Sequence, residues 1–188
     1  MLTILGGEWS GRRLKTLEKE GLRPTSGRVK ASLFSILESL EWKRSGKPDF
    51  TGWNCLDLFA GVGGLGLEML SRGAERCVFV EKDRAHAKIL QANVQTLGCE
   101  ARAPILVQPV EKEGWEKFRP FHLVLVDPPY AHSHLVGLLE KLVSENLLVP
   151  GGIVLFEHDP KVVFSDVKGL NLHSQRKLGP AGITVFLR

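Results

Sequence analysis

Leu123 to His132 reads LVLVDPPYAH, an apolar run of four ending in an acid, two prolines and a tyrosine. Pro128 and Pro129 cannot extend a strand, because each lacks an N–H and has its φ fixed near −65°. The Asp127 carboxylate and the Pro128 carbonyl are therefore two hydrogen-bond acceptors on a stiff backbone at a strand end. An exocyclic amine on a nucleobase is a weak nucleophile, since its lone pair is delocalised into the ring. Acceptors that hold its N–H groups can draw the nitrogen towards tetrahedral geometry, and Tyr130 offers a flat face on which the base can stack. Such a site works largely by proximity and orientation, and a stacked or paired base must be extruded to enter it. A plain proline-rich strand exit would account for the PPY part, but not for the acid beside the loop considered next.

Gly61, Gly63 and Gly66 satisfy GxGxxG, and Glu81 follows Gly61 by twenty residues. That spacing suits a dinucleotide fold, with an acid for the ribose hydroxyls. Asp57, four residues before Gly61, brings negative charge to the loop, where a pyrophosphate is unwelcome and an ammonium or sulfonium is favoured. Nicotinamide chemistry also leaves DPPY unexplained. S-adenosyl-L-methionine accounts for both features, with Asp57 and the loop at its methionine part and Glu81 at its ribose.

The elements that must position these groups are regular from Trp53 onwards. NCLDLFAG, CVFVEKD, APILVQP, FHLVLVD and GGIVLFEH read as strands. GGLGLEMLSRGA, Arg84 to Leu97 and HLVGLLEKLVSENLL read as helices between them. LNLHSQRK and GITVFLR, joined by LGPAG, predict a closing antiparallel hairpin. The result is an α/β fold: a seven-stranded, mostly parallel sheet with helices on both faces and an antiparallel C-terminal hairpin. Ligands in such sheets bind at the carboxyl ends of strands where the winding reverses. Asp57 to Gly63, Glu81 and Asp127 to Tyr130 all fall at strand ends of this kind.

Before this core, Thr3–Leu5 and Arg12–Thr16 predict a short hairpin. Val29, Leu33, Ile36, Leu37 and Leu40 predict a helix over Ser26–Leu40, capped by Thr25 or Ser26, and KRSGKPDFTG reads as a linker. We divide the chain into a basic N-terminal hairpin-helix extension, residues 1–45, and a main domain, residues 46–188. The 188 residues carry a net charge of +4, and all of that excess lies within residues 1–50. It is densest in Arg12, Arg13, Lys15, Lys19, Arg23, Arg28 and Lys30, an arm suited to phosphates on an otherwise neutral domain. Three cysteines without a CxxC pair suit reduced core thiols in a cytoplasmic protein. No apolar stretch is long enough for a membrane helix, and the N-terminus lacks signal-peptide character.

DLFAGVGGLGLE, LSRGA, VEKDR and VDPPY resemble the Rossmann-like class I methyltransferase core of the small-subunit ribosomal RNA guanine-N2 methyltransferases, the RsmD family. ILGGEWSGRRL and GLRPTSGRVKASLF are similar to that family's own leader, which DPPY-bearing DNA methyltransferases do not share. The resemblance implies methyl transfer from S-adenosyl-L-methionine to guanine N2, with ribosomal RNA or the small subunit as partner, in a cytoplasmic monomer without a metal. It implies catalytic roles for Asp127, Pro128, Pro129 and Tyr130. Cofactor contacts are implied at Asp57, Phe59, Ala60, Gly61, Gly63, Glu81, Lys82, Gln108 and Asp127, and RNA contacts at Arg12, Arg13, Arg23, Thr25 and Arg28. After the third strand the family commonly has an acid or amide followed by alanine. Gln108, Pro109 and Val110 stand there, and Gln108 still offers a side-chain hydrogen bond to the adenine.

A DNA adenine-N6 methyltransferase would share DPPY, but no segment here is spare for reading DNA sequence. A non-catalytic RNA-binding or assembly factor would have no need of Asp57, Glu81 and DPPY together, and an NAD oxidoreductase fits least. His122, His132 and His134 lack the partners of a metal site. Trp9 and Trp53 are read as packing. Glu157 is either an edge of the active site or a solvated acid.

Overall fold

A computed structural model describes residues 2–17, 27–128, 135–164 and 167–188. The N-terminal hairpin pairs β1 (Leu2–Thr3) with β2 (Arg13–Leu14). It leads to α1 (Gly27–Ser45), β3 (Asn54–Leu58), α2 (Gly66–Ser71), β4 (Arg76–Glu81), α3 (Arg84–Leu97) and β5 (Ile105–Val107). After these come β6 (Phe121–Val126), α4 (Leu135–Ser144), β7 (Leu148–His158), β8 (Asn171–Leu178) and β9 (Ala181–Leu187).

The main sheet has seven strands in the order β5-β4-β3-β6-β7-β9-β8. Strands β3 to β7 are parallel, while β9 runs antiparallel to both β7 and β8. From β3 the chain winds outwards to β4 and β5, then returns to lay β6 on the other side of β3. The winding therefore reverses between β3 and β6, the place in such sheets where ligands bind at the carboxyl ends of the strands.

Both faces of the sheet are covered, which is why its strands read as continuous apolar runs. Cys55, Cys77, Phe79, Leu123, Leu125, Ile153 and Ile183 face one core. That core also takes Leu2, Ile4, Trp9 and Leu14 of the hairpin, Leu33, Phe34 and Leu37 of α1, and Leu67, Leu70, Leu90 and Val94 of α2 and α3. Leu56, Leu58, Val78, Val124, Val126, Val154 and Phe186 face the other core, under Leu139 and Leu142 of α4. The hairpin and α1 thus share one apolar interior with the sheet.

The hairpin strands and α2 are shorter than the sequence reading, and the largest differences fall at two helix ends. Helix α1 runs on through Glu41, Trp42, Lys43 and Arg44 to Ser45, so the first residues of KRSGKPDFTG are helical. No helix breaker precedes Gly46, and Lys43 and Arg44 in the last turn suit the negative end of the helix dipole. Helix α4 stops at Ser144, and Leu148 already belongs to β7. Asn146 supplies the turn between them with a φ of 51°, a left-handed conformation that asparagine tolerates better than most residues. Helix α3 has the bounds the sequence predicts, and Gly98 closes it with a φ of 67°; the structure adds an N-cap at Asp83, whose carboxylate accepts the N–H groups of Ala85 and His86. The expected Thr25 or Ser26 cap lies outside the described residues. Among the described residues, no helix is long and apolar enough to cross a membrane.

Candidate active site

The loop after β3 is built from left-handed backbone. Phe59 has a φ of 61°, Gly61 of 55° and Gly63 of 86°. A non-glycine residue in this region stores of order 1–3 kcal/mol and persists only where its surroundings enforce it. The enforcement is visible: Glu81 Oε2 accepts the Gly61 N–H at 2.7 Å, Glu81 Oε1 accepts the Asp83 N–H at 2.7 Å, and the Val80 carbonyl accepts the Ala60 N–H at 3.1 Å. The three glycines of GxGxxG serve different ends. A Cβ at Gly61 would meet nothing within 4 Å, so the backbone conformation is what requires glycine there. At Gly63 a Cβ would lie 2.4 Å from Leu90 Cδ1, and at Gly66 2.3 Å from the Phe79 ring. Those two glycines let α2 and α3 approach the sheet.

Asp57 lies beneath this loop, 1% exposed, and its Oδ2 accepts the Gly66 N–H at 2.8 Å. Burial pushes its carboxyl up to about 8; the Asp127 and Glu81 carboxyls add to the rise, and the Gly66 bond opposes it. The charge expected beside the loop is thus muted in the free protein, chiefly because burial strips the carboxylate of water. The folded chain keeps a proton that the unfolded chain has released. Stability should therefore fall as pH rises from about 4 to about 8, by at most ~1.4 kcal/mol per pH unit. Urea titrations across that range should show this slope, and Asp57→Asn, which keeps an acceptor for Gly66, should flatten it.

Asp127 is half-buried at the end of β6, and its N–H approaches the Leu58 carbonyl at 3.4 Å across the switch point. Pro128 is buried behind it. Pro129 and Tyr130 lie outside the described residues, as do Arg23, Thr25, His132 and His134. Ala60 is buried, Phe59 is half-buried against the second core, and Lys82 is exposed beyond β4. Gln108 donates its backbone N–H to the Glu81 carbonyl at 3.0 Å, which holds the end of β5 to that of β4. Its side-chain nitrogen turns away to the carbonyls of Lys112 at 2.9 Å and Glu113 at 3.3 Å.

Of the basic residues, Arg12 and Arg13 are exposed on the hairpin, and Arg28 is exposed in the first turn of α1. Trp9 and Trp53 are buried, the latter stacked on His122 at 5.9 Å. His122 Nδ1 accepts the Asn54 N–H at 3.0 Å. Glu157 is buried at the end of β7 and is not a solvated acid. The described residues hold no group of three metal-ligating side chains.

Two polar anchors were not anticipated from the sequence. Glu68 of α2, 0% exposed, accepts the Leu5 and Gly6 N–H groups at 2.8 Å each, the Lys30 ammonium at 2.8 Å and Arg72 Nε at 2.9 Å. Asn93 of α3, 1% exposed, binds both the N–H and the carbonyl of Lys15. The available signal was a polar residue on an apolar helix stripe, as where Asn93 interrupts Leu90, Val94 and Leu97.

The chain matches the family described as Conserved hypothetical protein 95 over residues 2–187. It is 38% identical over 188 residues to ribosomal RNA small subunit methyltransferase D of Escherichia coli (strain K12), a match spanning 100% of this chain and 90% of that protein. Against the Haemophilus influenzae protein of the same name it is 34% identical over 157 residues, 82% of this chain and 77% of the other. A solved structure of a candidate methyltransferase from Escherichia coli superposes with a TM-score of 0.80 at 27% identity, covering 100% of this chain and 97% of that one.

Proposed function

The chain belongs to the Conserved hypothetical protein 95 family, the RsmD family, and from that membership we propose that it methylates the exocyclic N2 amine of a guanine in small-subunit ribosomal RNA, with S-adenosyl-L-methionine as donor. It acts as a monomer in the cytoplasm. The observation that carries the reading is the left-handed loop at the switch point, braced by two strand-end acids: Glu81 accepts the Gly61 N–H at 2.7 Å and Asp57 accepts the Gly66 N–H at 2.8 Å. A ligand carrying an ammonium and a sulfonium is favoured beside these acids, and a pyrophosphate is not. The space above Gly61 and the Glu81 carboxylate suit the methionine part and the ribose of such a ligand.

S-adenosyl-L-methionine supplies an electrophilic methyl group and leaves as a neutral thioether. The chain's own task is to present the amine. The Asp127 carboxylate and the Pro128 carbonyl accept its two N–H groups and aim the nitrogen lone pair at the methyl carbon. As the N–C bond forms, the surplus proton leaves the nitrogen through Asp127 towards solvent. Tyr130 stacks on the extruded base, and Pro129 stiffens the turn between them. Arg12, Arg13, Arg23, Thr25 and Arg28 are the groups that would contact the RNA backbone.

Gln108 completes the adenine end. With its side-chain nitrogen committed to the Lys112 and Glu113 carbonyls, its Oε1 is the atom that accepts the adenine amine. Gln108→Ala should weaken S-adenosylhomocysteine binding by roughly 3- to 10-fold in calorimetry, the range of one net hydrogen bond.

Tritium transfer from labelled S-adenosyl-L-methionine tests the reading. Naked small-subunit ribosomal RNA, 30S particles lacking their methyl marks and duplex DNA are compared side by side. Label in either ribosomal substrate supports it. Label in DNA alone would replace it with a DNA methyltransferase, and no transfer despite cofactor binding would favour a non-catalytic RNA-binding factor.

A further inference from the structure

Asn93 lies between the two halves of the proposed site. Its Oδ1 accepts the Lys15 N–H at 2.8 Å, and its Nδ2 donates to the Lys15 carbonyl at 3.1 Å and the Val62 carbonyl at 3.0 Å. Lys15 directly follows β2 in the basic leader, and Val62 sits between Gly61 and Gly63 in the cofactor loop. One buried side chain therefore acts as a strand partner for the leader and as a tether for the loop. A buried amide is retained on an apolar helix face only when its donors and acceptors are used, and here they are used on two segments that a shared ligand pair would occupy.

We propose that Asn93 is a positioning residue that couples the cofactor loop to the RNA-facing leader, so that filling either site orders the other. This rests on the methyltransferase reading above. A ligand seated on the loop fixes the Val62 carbonyl, which fixes the Asn93 amide, which holds Lys15. By reciprocity, RNA held on the leader strengthens cofactor binding by the same factor. Glu68 gives the hairpin a separate attachment to α2 through Leu5 and Gly6. Asn93 contacts the loop itself.

The test is amide hydrogen exchange at Lys15, the amide that Asn93 accepts, with and without saturating S-adenosylhomocysteine. In the unsubstituted chain the ligand should slow this exchange by about 5-fold or more. Asn93→Ala should speed it about 10-fold and leave it unresponsive to the ligand. Asn93→Asp discriminates further, because it keeps the acceptor for the Lys15 N–H and loses the Nδ2 donor that the Lys15 and Val62 carbonyls share. Protection of the Lys15 amide should exceed that in Asn93→Ala while the response to ligand disappears, a split that a purely structural role would not produce. Asn54→Ala serves as control: Asn54 is also buried and ties loops, through the Phe118 and Pro120 carbonyls at the opposite end of the sheet. Its ligand response at Lys15 should be unchanged. Ligand binding without protection at Lys15, or a retained response in Asn93→Asp, would overturn the coupling alone. Failure of the unsubstituted chain to bind S-adenosylhomocysteine would overturn the methyltransferase reading and the coupling together.

Discussion

Asp127→Ala should lower kcat for methyl transfer by about 10³-fold while S-adenosylhomocysteine binding changes by less than about 10-fold. The expectation follows from the division of labour at the switch point. In the proposed reading the cofactor is held mainly by the loop and Glu81 on the β3 and β4 side, and the amine is presented from the end of β6. Asp127→Asn keeps one acceptor oxygen but takes up no proton, and should fall between the two. Removing the Asp127 charge also eases the repulsion on Asp57, whose carboxyl should titrate lower than in the unsubstituted chain. Steady-state kinetics beside calorimetry read both effects. Full activity in Asp127→Ala would contradict the proposed mechanism.

The largest effect on stability is expected at Glu68. Glu68→Ala strips the buried Lys30 ammonium of its counter-charge, leaving it the Thr3 carbonyl at 2.9 Å, and removes the acceptor of the Leu5 and Gly6 N–H groups. Breaking a buried ion pair from one side typically costs about 3–5 kcal/mol. A domain of this size is stable by roughly 5–15 kcal/mol, so urea denaturation should show loss of a large fraction of that margin. Burial already lowers the Lys30 pKa against the pull of Glu68, and without Glu68 the amine should prefer its neutral form. Glu68→Gln retains an acceptor for the backbone and should cost less. A loss below about 1 kcal/mol in Glu68→Ala would mean that the buried ion pair adds little to the docking of the N-terminal hairpin.

The parts of the fold legible in the sequence are those whose signals are local. Strands β3, β4 and β6 are apolar runs broken by an acid or glycine, and α3 carries its own start at Asp83 and stop at Gly98. Where the local signal is continuous, the boundary was lost. Leu139, Leu142, Val143 and Leu147 keep a helical spacing across the boundary, and the left-handed Asn146 ends the helix before Leu147. In the site, residue types and spacing revealed the glycines and the acids, because backbone conformation and charge leave a mark on single positions. What the side chains bind left none. Asn93 meets Lys15 at a separation of 78 residues, and Glu68 meets Gly6 at 62. Gln108 stands at the expected position, but its amide nitrogen bonds to its own loop, a choice set by local backbone geometry.

Nucleoside analysis of the product tests the central claim most directly. Small-subunit particles lacking their methyl marks are incubated with the protein and S-adenosyl-L-methionine. Their RNA is then digested to nucleosides and resolved by mass spectrometry. The account predicts N2-methylguanosine as the new nucleoside, absent when Asp127→Ala replaces the unsubstituted chain. A methyl group on adenine N6, or on any carbon or oxygen atom, would contradict the assignment of guanine N2.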